Sequence, residues 1–147
     1  GLRLAVQFVH IRSLGESHQS LQFLSIIEKE SSIDSERKLV SSVFHNRLKK
    51  GMLLQSDPTV IYGLPEFDGN IRKKDLSYDS PYNSYLYKGL PPGPIANPSI
   101  QSIEAALYPA ESDYLYFVSK EAMKDHYFSK SYAEHLEAVK KYQLRKK

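Results

Sequence analysis

Residues 21–30 have the sequence LQFLSIIEKE, and they are the most informative segment of the chain. Three apolar residues and one glutamate in this segment follow the i, i+3, i+4, i+7 spacing of a single helix face, and these are Phe23, Ile26, Ile27 and Glu30. At about 100° per residue, Ser25 and Glu28 point away from that face. The pattern therefore predicts a helix whose apolar side ends in one carboxylic acid.

Glu30 is a candidate proton donor, because apolar surroundings favour the neutral form of a carboxyl group. Desolvation penalises the anion, so such an acid keeps its proton near neutral pH and can give it to a substrate. The structural alternative is that Glu30 ends the helix and turns its carboxyl group back to water. Glu28 is the second choice for an acid in this segment.

The size and composition of the chain indicate one domain, residues 1–147. The chain has a formal net charge of +3 and no cysteine, which excludes disulfides, thiolate metal sites and a cysteine nucleophile. It contains no run of about 18 apolar residues, and residues 1–10 lack the pattern of a signal peptide. Its basic residues are scattered except for a C-terminal cluster, which is more simply explained as a solvated helix end.

Two helices are expected in the first third of the chain. The first covers residues 21–30, and the second is capped by Asp34 or Ser35 and ended by Gly51. Both carry apolar residues on one face, so we expect them to pack together.

Later segments begin where a capping residue stands directly before a proline. The three signals of this kind are Asp57-Pro58, Ser80-Pro81 and Asn97-Pro98. The first predicts a short helix up to Tyr62, and the last predicts a helix that ends before Pro109. Residues 89–94, GLPPGP, cannot form regular structure, because prolines remove donors and fix dihedral angles.

The C-terminal part is expected to hold a hairpin and a helix. Residues 114–119 have the composition of a strand that pairs with residues 127–128. Ser131 and Glu134 have the spacing of a capping box, and the helix that follows is expected to bury Tyr132, Leu136 and Val139. The expected fold is a mainly helical α+β domain with a short β-hairpin.

The sequence gives no sign of a metal site or a cofactor. Five histidines are spread along the chain without the spacing of metal ligands, and these are His10, His18, His45, His126 and His135. Motifs for a serine nucleophile, a phosphate-binding loop and a dinucleotide are absent. We therefore expect no metal and no cofactor, and the chemistry that remains is that of a carboxylic acid.

Glycoside cleavage is a reaction class that uses such an acid, and it usually needs two carboxyl groups. The available partners of Glu30 are Asp34, Glu36 and Asp57. Asp34 and Asp57 are explained as helix caps, and Glu36 as a first-turn acid that interacts with the helix dipole. One acid suffices if the substrate supplies its own nucleophile, because the conjugate base can then take a proton from an internal hydroxyl.

Several motifs together resemble those of the endolytic murein transglycosylases, the MltG or YceG-like family. They occur in this order: SIIEKES (25–31), SER (35–37), VFHNRL (43–48), LQSDPTVIYG (54–63), YNSY (82–85), GLPPGPIANP (89–98) and YLYFV (114–118). The Glu30-Ser31 pair also resembles the Glu-Ser step of lytic transglycosylases and lysozyme-like enzymes, in which the glutamate is the catalytic acid. The resemblance and the helical spacing select the same glutamate.

The resemblance implies a lysozyme-like catalytic domain that cuts peptidoglycan between N-acetylmuramic acid and N-acetylglucosamine without water. Glu30 would protonate the glycosidic oxygen and then deprotonate the muramic acid 6-hydroxyl, which closes a 1,6-anhydro ring. Family members are implied to be single-pass inner-membrane proteins of the bacterial envelope that act in the periplasm on nascent strands, beside peptidoglycan synthases. We expect this chain to be the catalytic part, without the membrane anchor and without a complete LysM-like region.

The resemblance also implies five substrate-binding positions, which are Ser31, Gln55, Tyr82, Asn83 and Tyr85. The side chains of Gln55, Asn83 and Tyr85 suit hydrogen bonds to acetamido or hydroxyl groups, and Tyr82 suits stacking on a sugar ring. The alternative for Gln55 is a role in holding a loop, and the alternative for the tyrosines is a place in the core.

Three other functions stay open on the sequence alone. A non-catalytic domain could bind peptidoglycan in the same groove. A nucleic-acid binder would use the tyrosines and the basic tail, and its affinity would fall steeply with salt, although we expect no nucleic-acid partner. A muramidase-type hydrolase would use water with Asp57 or Glu36 as the base, and it would leave reducing ends.

Overall fold

The computed structural model of the chain describes residues 21–120 and 125–143. Five α-helices and one β-hairpin in these ranges form a mainly helical α+β fold, so the predicted fold class is confirmed. The elements are α1 (Leu21–Glu30), α2 (Asp34–Lys49), α3 (Asp57–Gly63), a 3-10 helix (Lys73–Ser77), α4 (Ile100–Leu107), β1 (Tyr116–Ser119), β2 (His126–Ser129) and α5 (Tyr132–Tyr142). Of the helices in the described ranges, none has the length and apolar character that crossing a membrane requires.

Helix α1 lies at the centre of the fold and has the predicted bounds. It packs against α2, α3 and α4, and its residues Phe23, Leu24, Ser25, Ile26 and Ile27 are at most 1% exposed. The helical spacing puts Ser25 outside the apolar face, but the structure shows that it is buried as well. Its hydroxyl donates a hydrogen bond to the Gln22 carbonyl and accepts one from the backbone N–H of Ile95, which satisfies this polar group inside the core.

The predicted cap of helix α2 is wrong, although the predicted stop is right. The N-cap residue is Ile33, without a side-chain hydrogen bond, and Asp34 is the first helical residue. The Asp34 carboxylate instead accepts a hydrogen bond of 2.8 Å from Arg37, one turn further along the helix. Gly51 follows the end of the helix with a φ of +66°, a left-handed conformation that glycine adopts without strain.

The proline signals place the later helices correctly but misassign their caps. The N-cap of α3 is Ser56 and that of α4 is Ser99, one and two residues away from Asp57 and Asn97. The Ser99 hydroxyl accepts a hydrogen bond from the backbone N–H of Ser102, as N-cap serines commonly do. No helix follows Ser80-Pro81, and the chain there runs through turns.

The hairpin forms as predicted. Strands β1 and β2 are antiparallel, with Phe117 opposite Phe128 and Ser119 opposite His126. Most of the predicted loop between them, residues 121–124, lies outside the described residues. Helix α5 packs on both strands, so the hairpin and α5 form one unit against the helices.

Helix α5 begins at the predicted cap but buries less than expected. The Ser131 hydroxyl accepts a hydrogen bond from the Glu134 backbone N–H, whereas the Glu134 carboxylate accepts from the N–H of Lys130. Tyr132 is 59% exposed and Leu136 is 41% exposed, so their predicted burial is wrong. The helix contacts both strands, and Ala138 is its buried residue.

Several sequence-based expectations concern residues outside the described ranges. They are the absence of a signal peptide in residues 1–10, the positions of His10 and His18, and the last residues of the basic C-terminal cluster.

Candidate active site

A cleft of about 330 Å³ opens where the end of α1, the middle of α2, the segment before α3, the hairpin and α5 meet. Its walls carry polar and aromatic side chains from distant parts of the sequence, and these include Glu30, Arg47, Gln55, Asp57, Tyr85, Tyr116, His126 and His135. We call it the Glu30 cleft. A concave site with a few convergent polar groups is the usual form of a ligand-binding site.

Glu30 is half-buried at the last position of α1, and its carboxyl group faces this cleft. The Ser56 hydroxyl lies 2.5 Å from Oε1 of Glu30 and donates a hydrogen bond to it. Burial raises the pKa of Glu30 from 4.5 to about 7; the Ser56 hydrogen bond opposes this rise, the Asp57 charge adds to it, and the Arg47 charge opposes it. The acid is therefore still partly protonated at neutral pH, as a proton donor must be.

Glu28, two residues earlier, has the opposite environment. Its carboxylate accepts hydrogen bonds from the backbone N–H of Ser99 at 3.0 Å, from the Ser99 hydroxyl at 2.7 Å and from the Ser102 hydroxyl. Arg37 lies 3.5 Å away. Burial alone would raise the pKa of Glu28, but these hydrogen bonds and the Arg37 charge outweigh it and hold the pKa below its ordinary value. Glu28 is an ionised anchor for the start of α4, and it does not line the Glu30 cleft.

Asp57 and Tyr85 form a hydrogen-bonded pair in the cleft. The Tyr85 hydroxyl donates to the Asp57 carboxylate over 2.6 Å. Asp57 thus binds a side chain in place of the predicted cap, and Ser56 occupies the N-cap position. Burial, the hydrogen bond to Asp57 and the charges of Asp57 and Glu30 raise the pKa of Tyr85, so its hydroxyl keeps its proton.

Arg47 is a buried cation on the inner face of α2, 6% exposed. Its Nε donates to the Leu115 carbonyl at 2.6 Å, and its Nη1 donates to the Leu53 carbonyl at 2.7 Å and to the Leu54 carbonyl at 3.5 Å. The guanidinium lies 4.9 Å from the centre of the Tyr116 ring, in cation–π geometry. Burial lowers the pKa of Arg47, although the side chain stays charged at physiological pH.

Two histidines reach the cleft from the C-terminal unit. Glu36 accepts hydrogen bonds from the backbone N–H of His126 at 3.0 Å and from its Nδ1 at 2.8 Å. The predicted first-turn acid Glu36 therefore also orients the His126 ring. His135 stacks on the Tyr116 ring at 5.0 Å, and burial together with the Arg47 charge lowers its pKa.

The structure brings two of the five predicted substrate-binding residues to the cleft with Glu30, and these are Gln55 and Tyr85. Gln55 is exposed and has a backbone φ of +52°. This left-handed conformation is uncommon for residues other than glycine, asparagine and aspartate. Its backbone N–H donates to the Ser84 carbonyl at 3.2 Å, which holds the segment against the YNSY motif.

Ser31, Tyr82 and Asn83 do not line the cleft. The Ser31 hydroxyl is buried and bonds to the backbone of Ile33 in the turn after α1. Tyr82 packs on Tyr62 with ring centres 4.7 Å apart. Contact of these residues with a substrate stays a prediction.

Asn83 serves the loop around it. It is 1% exposed, and its amide donates to the carbonyls of Leu76 and Tyr78 and accepts from the backbone N–H of Tyr85. These hydrogen bonds fix the position of Tyr85, so Asn83 supports the cleft from behind.

The sequence-based search missed Arg47, Ser56, His126 and His135. Arg47 does carry a sequence signal, because the α2 residues Val40, Val43, Phe44 and Arg47 repeat the i, i+3, i+4, i+7 spacing that singled out Glu30. The histidines lack such a signal, since the hairpin register and the packing of α5 bring them to the cleft. Within the described ranges, no three histidine or acidic side chains are grouped in a way that could hold a metal ion.

Comparison with known proteins identifies the family. Residues 8–141 match the YceG-like family. A protein of Bacillus subtilis (strain 168) named endolytic murein transglycosylase is 47% identical over 125 residues, which are 85% of this chain and 34% of the relative. A protein of the same name from Streptococcus pneumoniae serotype 2 is 36% identical over 123 residues, which are 80% of this chain and 22% of the relative. The chain thus spans about a third or less of these relatives.

The fold is also known from a crystal structure. A 2.6 Å structure of a YceG-like protein from Listeria monocytogenes superposes with a TM-score of 0.83 and 46% identity, over 92% of this chain and 45% of that chain. The fold thus belongs to one group of α+β proteins, and in this chain it carries the acid-bearing cleft. The chain is a member of the YceG-like family, and the resemblance of its motifs is confirmed.

Proposed function

We propose that this protein is an endolytic lytic transglycosylase of peptidoglycan. The reaction would break the bond between N-acetylmuramic acid and N-acetylglucosamine and leave 1,6-anhydro-muramic acid ends. The observation that carries the proposal is the Glu30 carboxyl group, which is half-buried in a cleft, hydrogen-bonded by Ser56 and raised in pKa to about 7. The names of the Bacillus and Streptococcus relatives support the same class of reaction.

In the first step Glu30 acts as a general acid. Its proton passes to the glycosidic oxygen while the bond from that oxygen to C1 of muramic acid breaks, so N-acetylglucosamine leaves with a hydroxyl group. Positive charge develops at C1 and the ring oxygen of muramic acid, as in other glycoside cleavages. A pKa near 7 suits this step, because the acid is protonated often enough and still gives up its proton readily.

In the second step the Glu30 carboxylate acts as a general base. It takes the proton of the muramic acid 6-hydroxyl while that oxygen bonds to C1, which closes the 1,6-anhydro ring and returns Glu30 to its neutral form. No water is consumed, so a second carboxylate to activate water is not needed. The Ser56 hydroxyl and the nearby Arg47 charge both favour the anion between the two steps.

The proposal extends to the cellular setting. The domain would act on nascent glycan strands and end their growth, near peptidoglycan synthases. The full-length protein would be held in the inner membrane of a bacterial envelope by an N-terminal anchor, with this domain in the periplasm. These points rest on the family resemblance alone.

Hydrolysis is the second candidate, because Asp57 lines the same cleft as Glu30. A carboxylate there could activate water at C1, as in inverting glycosidases. The Tyr85 hydroxyl already occupies one of its oxygens, which weakens this alternative. Glu36 is a poorer base, since both of its oxygens bind His126.

The test is mass spectrometry of the products from purified peptidoglycan glycan. The native chain should release muropeptides with anhydro ends, whereas E30Q should release none and should keep its helical circular dichroism. E28Q is the matched control, since the same change two residues away should leave the products unchanged. Reducing ends in place of anhydro ends would establish the hydrolase, and glycan binding without any cleavage would establish a binding domain.

A further inference from the structure

We infer that Arg47 is a substrate-binding residue that receives a carboxylate group of the peptidoglycan strand in the Glu30 cleft. The inference rests on the proposed function for its substrate, and it adds a recognition element that the two-step mechanism does not use.

The Arg47 guanidinium is held rigidly by neutral groups. Its Nε and Nη1 donate to three backbone carbonyls, those of Leu53, Leu54 and Leu115. Its Nη2 has no hydrogen-bond partner among residues 21–120 and 125–143. One nitrogen of a fixed, planar donor is thus left for a ligand.

The positive charge of Arg47 has no acid in contact with it, and the Glu30 carboxyl group, whose anion it favours, lies beyond ion-pair distance. No carboxylate of the described residues lies within 4.0 Å of its nitrogens, whereas the less buried Arg37 and the exposed Arg72 both form ion pairs. A buried charge without a counter-ion in contact with it is costly, so buried cations normally form direct ion pairs. An unpaired one in the wall of a cleft is best explained by an anion that enters with the substrate.

Carboxylate is the anion that fits both the guanidinium and the substrate. Arginine binds carboxylates through its planar set of donors, and peptidoglycan carries no other abundant anion on its glycan and peptide. The carboxylate has two sources: the lactyl group of muramic acid in strands without peptides, and the stem peptide. Either source would place the muramic acid side of the scissile bond next to Glu30.

A simpler explanation is that Arg47 acts only on Glu30. The Arg47 charge lowers the pKa of Glu30 and favours its anion. The two explanations differ in what the substrate must carry. If Arg47 acts only on Glu30, glycan binding should not depend on the carboxylates of the substrate.

The experiment measures binding of glycan oligomers to E30Q, which is expected to bind them without cutting. One arm compares peptide-free oligomers that have a free lactyl carboxylate with the same oligomers as methyl esters. The other arm uses oligomers that carry stem peptides. It compares peptides that have free carboxylates with the same peptides in which carboxamides replace them. In the arm that supplies the contact, masking should weaken binding about tenfold, as expected for the loss of a charge-assisted hydrogen bond.

Two protein variants on the E30Q background locate the effect. R47M should remove the preference for the free carboxylate, and R47K should retain part of it. R72M is the matched control, because Arg72 is an exposed arginine whose ion pair with Asp68 lies away from the cleft. Arg47 donates hydrogen bonds to three backbone carbonyls, so R47M could fail to fold. The masked oligomers then test the inference without any change at Arg47.

Equal binding of free and masked oligomers in both arms would overturn the inference and leave the proposed function intact. A preference that persists in folded R47M would overturn it as well, because another residue would then hold the carboxylate. The proposed function fails separately, when the native chain yields no anhydro ends, and a carboxylate preference measured with E30Q would survive that result.

Discussion

The Ser56 hydroxyl lies 2.5 Å from Oε1 of Glu30, and this hydrogen bond joins the N-cap of α3 to the last residue of α1. Because Ser56 donates to Oε1, the proton of the neutral carboxyl group belongs on Oε2. The helix packing thus fixes the position of the acid and also selects the oxygen that carries its proton.

Replacing Ser56 by alanine is expected to extend activity to higher pH. The hydrogen bond lowers the pKa of Glu30, so its loss raises that pKa above about 7. Activity that needs neutral Glu30 falls as the pH passes this pKa, and the basic limb of the pH–rate profile should therefore move up by roughly 0.5–1 unit. The measurement is release of anhydro ends between pH 5 and 9, normalised to the maximum of each variant.

Ser77 provides the control for this experiment. Its hydroxyl donates to the Lys74 carbonyl on an exposed 3-10 helix, so S77A should leave the limb in place. An S56A profile that is unmoved, or that moves to lower pH, would contradict the role given to Ser56.

Replacing Asp57 by asparagine is expected to shift the same limb in the opposite direction. The Asp57 charge raises the pKa of Glu30, so D57N should lower that pKa and move the basic limb to lower pH. Anhydro ends should remain the product, since the proposed reaction does not need Asp57 as a base.

The matched control for D57N is D79N. Asp79 accepts a hydrogen bond of 2.6 Å from Tyr87. This pair is of the same kind as Asp57 and Tyr85, but it lies on an exposed loop. D79N should change neither the limb nor the products. Loss of all products in folded D57N would favour the hydrolase.

These relationships show how much of the site the sequence reveals. The bounds of α1 and the position of Glu30 are local properties of an apolar stripe, and they are predicted correctly. The caps at Asp34 and Asp57 are mispredicted because each carboxylate finds a side-chain donor, Arg37 or Tyr85, and so does not bind a backbone N–H. That competition is decided by packing, which a local pattern does not contain.

The far wall of the cleft depends even more on packing. His126 reaches it through the hairpin register and the hydrogen bonds that it donates to Glu36, 90 residues earlier in the chain. His135 reaches it because α5 packs on the same strands. Arg47 is the exception, since its position on the apolar stripe of α2 was visible in the sequence.

E28Q is expected to reduce stability without changing the reaction. It removes the charge of a carboxylate that accepts hydrogen bonds from Ser99, Ser102 and Arg37, so the free energy of unfolding should fall by about 1–3 kcal/mol at pH 7. The pKa of Glu28 is lowered by folding, so its stabilisation is present above the ordinary value of 4.5 and is lost as the pH falls below it. Urea unfolding at pH 4 and pH 7 should therefore show a smaller difference between E28Q and the native chain at pH 4.

E30Q is expected to behave in the opposite way. The pKa of Glu30 is raised from 4.5 to about 7 by folding, so the native chain loses stability as the pH rises through this interval. At about 1.4 kcal/mol per unit, the loss is on the order of 3 kcal/mol. E30Q has no such titration, so its unfolding free energy relative to the native chain should rise between pH 5 and pH 8. A constant difference over this range would contradict the raised pKa.

Gln55 allows backbone strain to be separated from substrate contact. Its φ of +52° costs a non-glycine residue about 1 kcal/mol, so Q55G should be as stable as the native chain or up to about 1 kcal/mol more stable. Q55A keeps the strain and should show no such gain.

If the side chain binds glycan, both variants should weaken binding by the same factor, because both lack the amide. G51A calibrates the strain, since Gly51 has a φ of +66° with open space around it and should lose about 1 kcal/mol as alanine. Unchanged glycan binding by Q55G would limit Gln55 to holding the loop through its backbone hydrogen bond to Ser84.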